Sequence, residues 1–398
     1  MKLIRRITTR IADLGRVMAR ELQLIVHDQG VMIFFVLLPL MYPIVYTLIY
    51  NPEVLEKLPV AVVDQDRTEA SRKLVRDASA SPAIRIYDYV PEMGEARRLV
   101  AERKVNAILY IPQGYGKKIG RVQVATASLY IEMSLLLRYR DLYSAITDVQ
   151  LKDISDITAS RAALVGQAAD GLASGMPIDS QGQMLGDTQQ GFASFIMPGI
   201  LVLILQQSMI LGICMLAGNA AERRRRNNGI DPLQPRQPSW MIVLGRALTY
   251  TVFYVAASIY LLHWIPELFN LPHWGDAADW LLLMLPFMLA SAFFGLTIAQ
   301  LVTDRESCFL IIVISSVFFL FLTGLTWPRY AMPAVWKFLG DLIPGAWGVE
   351  AFISINSNGA TLAENSTPYL ALWGLSALYF VTSAVALAIV TRRKALTA

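Results

Sequence analysis

The stretch VMIFFVLLPLMYPIVYTLIY, residues 31–50, contains no charged residue. A bilayer core about 30 Å thick needs roughly 20 apolar residues to be crossed by a helix. A second charge-free run covers 192–221, and comparable runs follow at about 241–262, 280–303, 307–325 and 369–390. Six segments near this length predict an α-helical polytopic membrane protein with six transmembrane helices. The interval 51–190 breaks the pattern and is expected in water, as a domain inserted between helices 1 and 2.

Bulk properties agree. Only 17% of the residues are charged and 55% are hydrophobic, a balance that would give a soluble chain large aggregating patches. The formal net charge of +4 is no nucleic-acid signal, because the basic residues cluster at the span boundaries. Cys214 and Cys308 both fall in spans, which excludes a disulfide framework in the soluble interval. His27, His263 and His273 are scattered and lack metal-ligand spacing.

Orientation follows from Lys and Arg. The first thirty residues hold Lys2, Arg5, Arg6, Arg10, Arg16 and Arg20. The loop after the second span holds Arg223 to Arg226 and Arg236, the turn between spans four and five holds Arg305, and the tail holds Arg392, Arg393 and Lys394. Six spans put all four regions on one side, which the positive-inside bias makes the cytoplasm. Both termini are then cytoplasmic, and 51–190, 263–279 and 326–368 are external. The run at 31–50 is too long for a signal core and ends in Tyr50-Asn51-Pro52 without a small-x-small site, so an uncleaved span is expected.

Residues 1–30 form an arm. Leu3, Ile4, Ile7, Ile11, Leu14, Met18, Leu22 and Ile25 recur at helical spacing with basic residues opposite. That pattern suits a helix in the membrane interface. It reads first as a membrane-surface anchor, and in a sharper alternative as a helix that transmits force from a cytoplasmic partner.

The soluble interval alternates strand and helix: PVAVVDQD from Pro59, a helix at 68–79, a strand at 84–90, and a helix at 91–105 with Pro91 near its first turn. Strands at 106–112 and 122–131 complete a small α/β domain. A polar helical stretch covers 134–190, with a Gly/Ser/Gln-rich hinge at 166–191. Asp64 and Asp66 form an Asp-x-Asp that is either a divalent-ion site or a turn with a helix cap between Asp66 and Thr68. No histidine lies between His27 and His263 and no Gly-x-Ser-x-Gly is present, so an enzyme is not indicated.

Gln206 and Gln207 sit near the middle of the second span, and Gln300 near the end of the fourth. Amides in hydrocarbon are costly unless paired. They either line a substrate path or bond neighbouring helices. Pro198-Gly199 is expected to loosen the second span, and Pro39 and Pro43 to bend the first. The segment LTGLTWPRYAMPAVWKFLGDLIPGAWGVE, 322–350, is too broken to span and suits a pair of re-entrant or surface helices over 326–350. Trp327, Trp336 and Trp347 suit an interfacial belt. In AERRRRNNGIDPLQPRQPSW, 221–240, the arginine run marks topology and lipid contact, and Gly229, Asp231, Leu233 and Pro235 suggest a turn and short helix.

Taken in order, RELQLIVHDQG (20–30), PVAVVDQDRTEASRKLV (59–75), EARRLVAERKVNAILYIP (95–112), the loop from Glu222-Arg223 to LGRALTY (244–250), and LTGLTWPRYAMPAVWKFLGDLIPGAW (322–347) resemble the permease subunit of type-2 ABC exporters, in its large-ectodomain branch. The resemblance covers nearly the whole chain. It implies a bacterial inner-membrane permease that binds no ATP, pairs with itself or a sibling permease, and works with two nucleotide-binding ATPases that supply ATP and Mg. No Gly-x-x-x-x-Gly-Lys-Ser/Thr loop is present, in agreement. A periplasmic adaptor protein is a further implied partner, and drugs, lipids or other amphiphiles the implied substrates. By the same resemblance, Arg20, Glu21 and Asp28 on the arm, and Glu222, Arg223, Gly229 and Leu233 in a coupling loop at 218–240, contact the ATPases. The family's Gly-Thr-x-Glu-x-Leu pattern is altered here, with Ile230 in place of the Thr and Asp231-Pro232 near the acidic position. The rival expectation is a non-transporting receptor or scaffold whose exported domain binds a ligand.

Overall fold

The computed structural model describes residues 2–50, 57–121, 123–132, 136–164, 191–228 and 230–395. In chain order the helices and strands are α1 (Lys2–His27), α2 (Gln29–Met32), α3 (Leu38–Tyr50), β1 (Leu58–Asp64), α4 (Glu69–Ala80), β2 (Ile84–Tyr89), α5 (Met93–Ala101), β3 (Ala107–Ile111), α6 (Tyr115–Gly120), β4 (Ser128–Ile131) and α7 (Leu136–Leu164). Then come α8 (Phe192–Arg226), α9 (Ser239–Ile259), α10 (Ile265–Leu268), α11 (Ala277–Ile298), α12 (Ser307–Leu322), α13 (Ala334–Asp341), α14 (Pro344–Asn358) and α15 (Ser366–Ala395). The chain divides into two units: Pro52–Gln183, and Met1–Asn51 with Met184–Ala398.

The smaller unit is the expected α/β domain. Its sheet runs β2-β1-β3-β4, with β1 parallel to β2 and β3, and β4 antiparallel to β3. The central strand β1 is apolar on both faces because both are covered. Val60 and Val62 pack with Leu74, Val75, Leu109 and Leu142, while Ala61 and Val63 pack with Ala96, Leu99 and Ile108. Three boundaries differ from expectation. Pro91 lies outside α5, whose N-cap is Glu92. β4 occupies only the last four of the ten residues expected as strand, and the short α6 was not anticipated. The hinge expected at 166–191 lies almost wholly outside the described residues.

Asp64 and Asp66 are turn builders. Asp64 accepts from the amides of Asp66 (3.0 Å) and Arg67 (2.9 Å) and from the Ser71 hydroxyl (2.7 Å). Asp66 accepts from the amides of Gly114 and Gly116, both at 2.7 Å, and from the Thr68 hydroxyl at 2.6 Å. The cap itself is Thr68, which accepts from Ser71 N at 3.3 Å. Among the described residues no group of three or more His, Cys, Asp or Glu is arranged to hold a metal.

Among the described residues of the larger unit, five helical stretches are long and apolar enough to cross a membrane: Gln29–Ile49, Phe192–Arg226, Ser239–Leu268, Ala277–Leu301 and Ser366–Val390. The run expected as a span at 307–325 is the 16-residue α12, about 24 Å long at 1.5 Å per residue. α13 and α14 together are apolar enough for a span but meet at 88°. This is the helix pair expected at 326–350, although α14 continues to Asn358. Outer-face residues such as Leu40, Val45, Leu310, Val313, Val381 and Val385 are exposed, the arrangement a hydrocarbon solvent requires.

α8 is the axis, and α3, α11, α12 and α14 all pack on it. Its glycines admit close neighbours. A Cβ at Gly199 would lie 2.6 Å from Leu325 Cδ1, and one at Gly218 would lie 2.8 Å from Asp304 O. At Gly212 the Phe35 ring of the first span occupies the Cβ position, edge-on to Tyr250 and Tyr254 at 5.9 and 5.2 Å. Pro198 does not interrupt α8. The first span takes up Pro39 differently, through a π turn over Ile33–Leu37 in which Leu38 N bonds Ile33 O.

Gly212→Val should expel Phe35 and lower the melting temperature of the detergent-solubilised chain by several degrees, the effect of about 1–3 kcal/mol of overpacking. Adding Phe35→Leu should recover part of the loss, and an unchanged melting temperature would show that the ring is seated elsewhere. In the smaller unit, the Thr68 hydroxyl, opposed by partial burial and aided by the amides of Gly116, Gly114 and Tyr115, holds Asp66 below its ordinary value of 3.8. Its stabilisation is therefore complete above that value and lost only as pH falls through the lowered one. Asp66→Ala should speed amide exchange at Gly114 and Gly116 by about 10- to 30-fold at pH 7, whereas the unaltered turn should stay closed down to about pH 4.

Candidate coupling site

The arm α1 packs along α9. Val17, Glu21 and Ile25, spaced four apart, are its buried residues among those whose burial is described, and Gly245 admits Val17 at close range. A carboxylate in the middle of an apolar stripe must be answered. Glu21 is 3% exposed, and α9 answers it twice: Arg246 Nε donates to Glu21 Oε2 at 3.1 Å, and the Tyr250 hydroxyl donates to Oε1. The Glu21 carboxylate, expected at a partner surface, is turned into the fold here. Ile11 and Leu22, expected to share the apolar face, are exposed.

Asp28 ends the arm and caps α2, accepting from Gly30 N (2.9 Å) and Val31 N (3.1 Å). It also accepts from Asn219 of α8 and from Arg305 Nη2 at 2.9 Å. Arg305 lies in the turn between α11 and α12, and its backbone amide donates to Glu222 Oε1 at 3.0 Å. Asp28, Asn219, Glu222 and Arg305 therefore join the start of the first span, the end of α8 and the start of α12. An open cavity of about 530 Å³ lies against this node, lined in part by His27, Asp28, Asn219, Arg223 and Arg305.

The arginine run expected in a loop forms the last turn of α8, and the segment after it is a turn without the expected short helix among the described residues. Arg223 makes a two-point bond to Asp231, at 3.0 and 3.2 Å, and Leu233 N donates to the same carboxylate at 3.0 Å. Burial raises the Asp231 carboxyl, but Arg223, the Leu233 amide and Arg224 outweigh it and hold it below the ordinary range. Arg20 Nη2 reaches the Pro232 carbonyl at 3.2 Å, so the arm also touches this loop. Leu233 is exposed, and Gly229 lies outside the described residues.

The glutamines separate. Gln206 is fully buried against Gly345 of α14, and among the described residues neither its amide atoms nor those of Gln207 have a hydrogen-bond partner. Gln300 donates to Leu296 O at 3.2 Å and lines a cavity of about 70 Å³ with Glu21, Arg246 and Tyr250. In the bent pair, Arg329 is clamped between Asp341 and Glu350, its guanidinium 4.1 Å from the Trp347 ring. Trp347 thus packs inward, and only Trp327 and Trp336 keep the exposure expected of a belt.

Sequence reasoning missed Arg246, Tyr250 and Asn219 and read Arg305 only for topology. A lone arginine in an apolar run was the available signal for Arg246.

The geometry is that of a polytopic membrane protein whose amphipathic arm is bonded into the bundle. A family model described as ABC-2 family transporter protein matches residues 30–385. The chain belongs to that family, whose members are the permease subunits of ABC transporters and work with a partner ATPase. No curated protein matches it closely enough to count as a relative.

Glu21→Ala would strand Arg246, whose side chain is 18% exposed, and should cost about 3–5 kcal/mol. Arg246→Met should cost a similar amount and the double variant clearly less than the sum. Additive losses in a thermal-unfolding cycle would show that the two do not interact.

Proposed function

We propose that this chain is the membrane subunit of an ATP-driven exporter that moves an amphiphilic substrate, a drug, lipid or similar molecule, out of the cytoplasm or the inner membrane. It lies in a bacterial inner membrane with both termini cytoplasmic and functions as a dimer with itself or a sibling permease. ATP and Mg are bound by partner ATPases. The domain at 51–190 is external and meets an adaptor protein.

The observation that carries this reading is the ionic node. Asp28, Glu222 and Arg305 come from three separate regions yet meet at one point. That requires the start of the first span, the end of α8 and the start of α12 to share a membrane face, which supports six spans with α12 as the fifth. A span of about 24 Å is tolerated by local bilayer thinning. The basic residues around the node favour the cytoplasmic face. Glu21, Arg246 and Tyr250 bind the arm to α9 just beside it. An ATPase pushing on the arm and on the exposed Leu233 region would move α1, α8, α9 and the α12 turn together. Such coupled elements suit a two-state switch between inward- and outward-open forms. The unpartnered Gln206 and Gln207 are the polar groups this reading assigns to the substrate path.

The chain, co-expressed with the ATPase encoded beside it and reconstituted in proteoliposomes, should co-purify with that ATPase. Arg305→Ala should keep the complex intact but lower ATP-driven transport at least about 10-fold, a coupling loss of about 1.4 kcal/mol. Full activity in that variant would remove the node from the coupling route. A folded chain with no co-purifying ATPase would favour the receptor.

A further inference from the structure

His263 and His273 share no ligand-like spacing, yet the fold sets them face to face. His263 lies in the π turn Tyr260–Trp264 that ends α9, and His273 in the loop between α10 and α11. His263 Nδ1 and His273 Nε2 are 3.4 Å apart. The remaining nitrogen of His273 is committed elsewhere. Asn356 Nδ2 donates to Pro272 O at 2.8 Å, which fixes the amide so that its Oδ1 faces His273 Nδ1. An amide oxygen only accepts, so Nδ1 carries the proton and Nε2 the lone pair. His263 Nε2 stands 3.9 Å from Glu267 Oε2, beyond hydrogen-bond distance, so its ring is free to carry its proton on either nitrogen.

His273 Nε2 thus offers a lone pair, and His263 Nδ1 offers a second one in the tautomer that a bound cation selects. The separation is beyond the usual 2.7–3.2 Å range of a hydrogen bond. Two imidazole nitrogens on a tetrahedral ion, each bound at about 2.0–2.1 Å, stand about 3.3–3.4 Å apart. Asn356 is placed as the outer partner that orients a ligating imidazole, and Glu267 is one rotamer change from the same role on His263. Trp280 stacks on His263, with ring centroids 6.5 Å apart, and limits its rotation. Gly275 brings the loop against Ile355, where a Cβ would lie 2.6 Å from the carbonyl oxygen. Solvent reaches the pair, since the His263 side chain is 36% exposed.

We propose that His263 and His273 bind a divalent transition-metal ion of the zinc class, with water completing its coordination. Two protein ligands make this an exchangeable site. The ion would tie the end of α9 to the loop that Asn356 joins to α14, and so would steady the bent helix pair.

The test uses the full chain in detergent, purified without a polyhistidine tag. Zinc at about 100 times its dissociation constant should raise the melting temperature by about 3–6 °C. His263→Ala and His273→Ala should abolish the shift, and His27→Ala should keep it. Glu267, 66% exposed, can be changed without disturbing the core, and Glu267→Gln should weaken zinc binding up to about 10-fold by calorimetry. Calorimetry on the unaltered chain guards against variants that misfold: one site per chain is expected, and no binding overturns the proposal. An equal shift in both histidine variants also overturns it.

Discussion

A carboxylate cannot be left alone in a half-dry interface, and two of the three on the arm of this protein are answered from distant parts of the chain. Glu21 lies in the middle of the apolar stripe of α1, and Asp28 lies where the arm turns into the first span. Each is answered by an arginine from a distant part of the chain, Arg246 and Arg305. The cost of removing these charges from water is met only when α9 and the α11–α12 turn are in place. The arm is thereby fixed as part of the bundle. An amphipathic helix lying loosely on the membrane would carry its acidic residues on the wet face.

Within the bundle, apolar side chains gain little by leaving lipid for one another, so contact quality decides the packing. Small residues on α8 supply it. Gly199, Gly212 and Gly218 admit Leu325, Phe35 and the Asp304–Arg305 backbone. The last of these contacts seats Arg305 where it reaches Asp28, so the packing of α8 and the ionic node depend on each other. The bent pair α13–α14 follows the same logic at another place. Arg329, held by two carboxylates and an aromatic face, fixes the 88° corner that an uninterrupted helix would not make. Gln206 and Gln207 stand against this economy, with amides that nothing among the described residues satisfies. Their cost is the physical reason to connect them with function.

The class of fold was legible because hydrocarbon solvent imposes a coarse, local rule. A backbone without water must close its own hydrogen bonds, and a run of about 20 apolar residues reports that directly. The α/β unit was legible for a similar reason: PVAVVD and its neighbours alternate at the periods that sheet and helix demand. Errors fell where the rule is weakest. Helix ends were misjudged at Arg223–Arg226 and at Pro91, α12 proved shorter than its apolar run, and the six-residue α6 left no period to read.

The sequence by itself determined the membrane class, most of the apolar helices within a few residues, and the α/β interval between the first two of them. It did so because hydropathy and periodicity are properties of neighbouring residues. Only the tertiary structure decided that Glu21 faces inward, that Asp28 meets Arg305 across 277 positions, and that His263 and His273 stand 3.4 Å apart. Side-chain partners depend on which helix faces pack together, and that is set by close contacts such as Phe35 on Gly212, to which a pattern along the chain is blind.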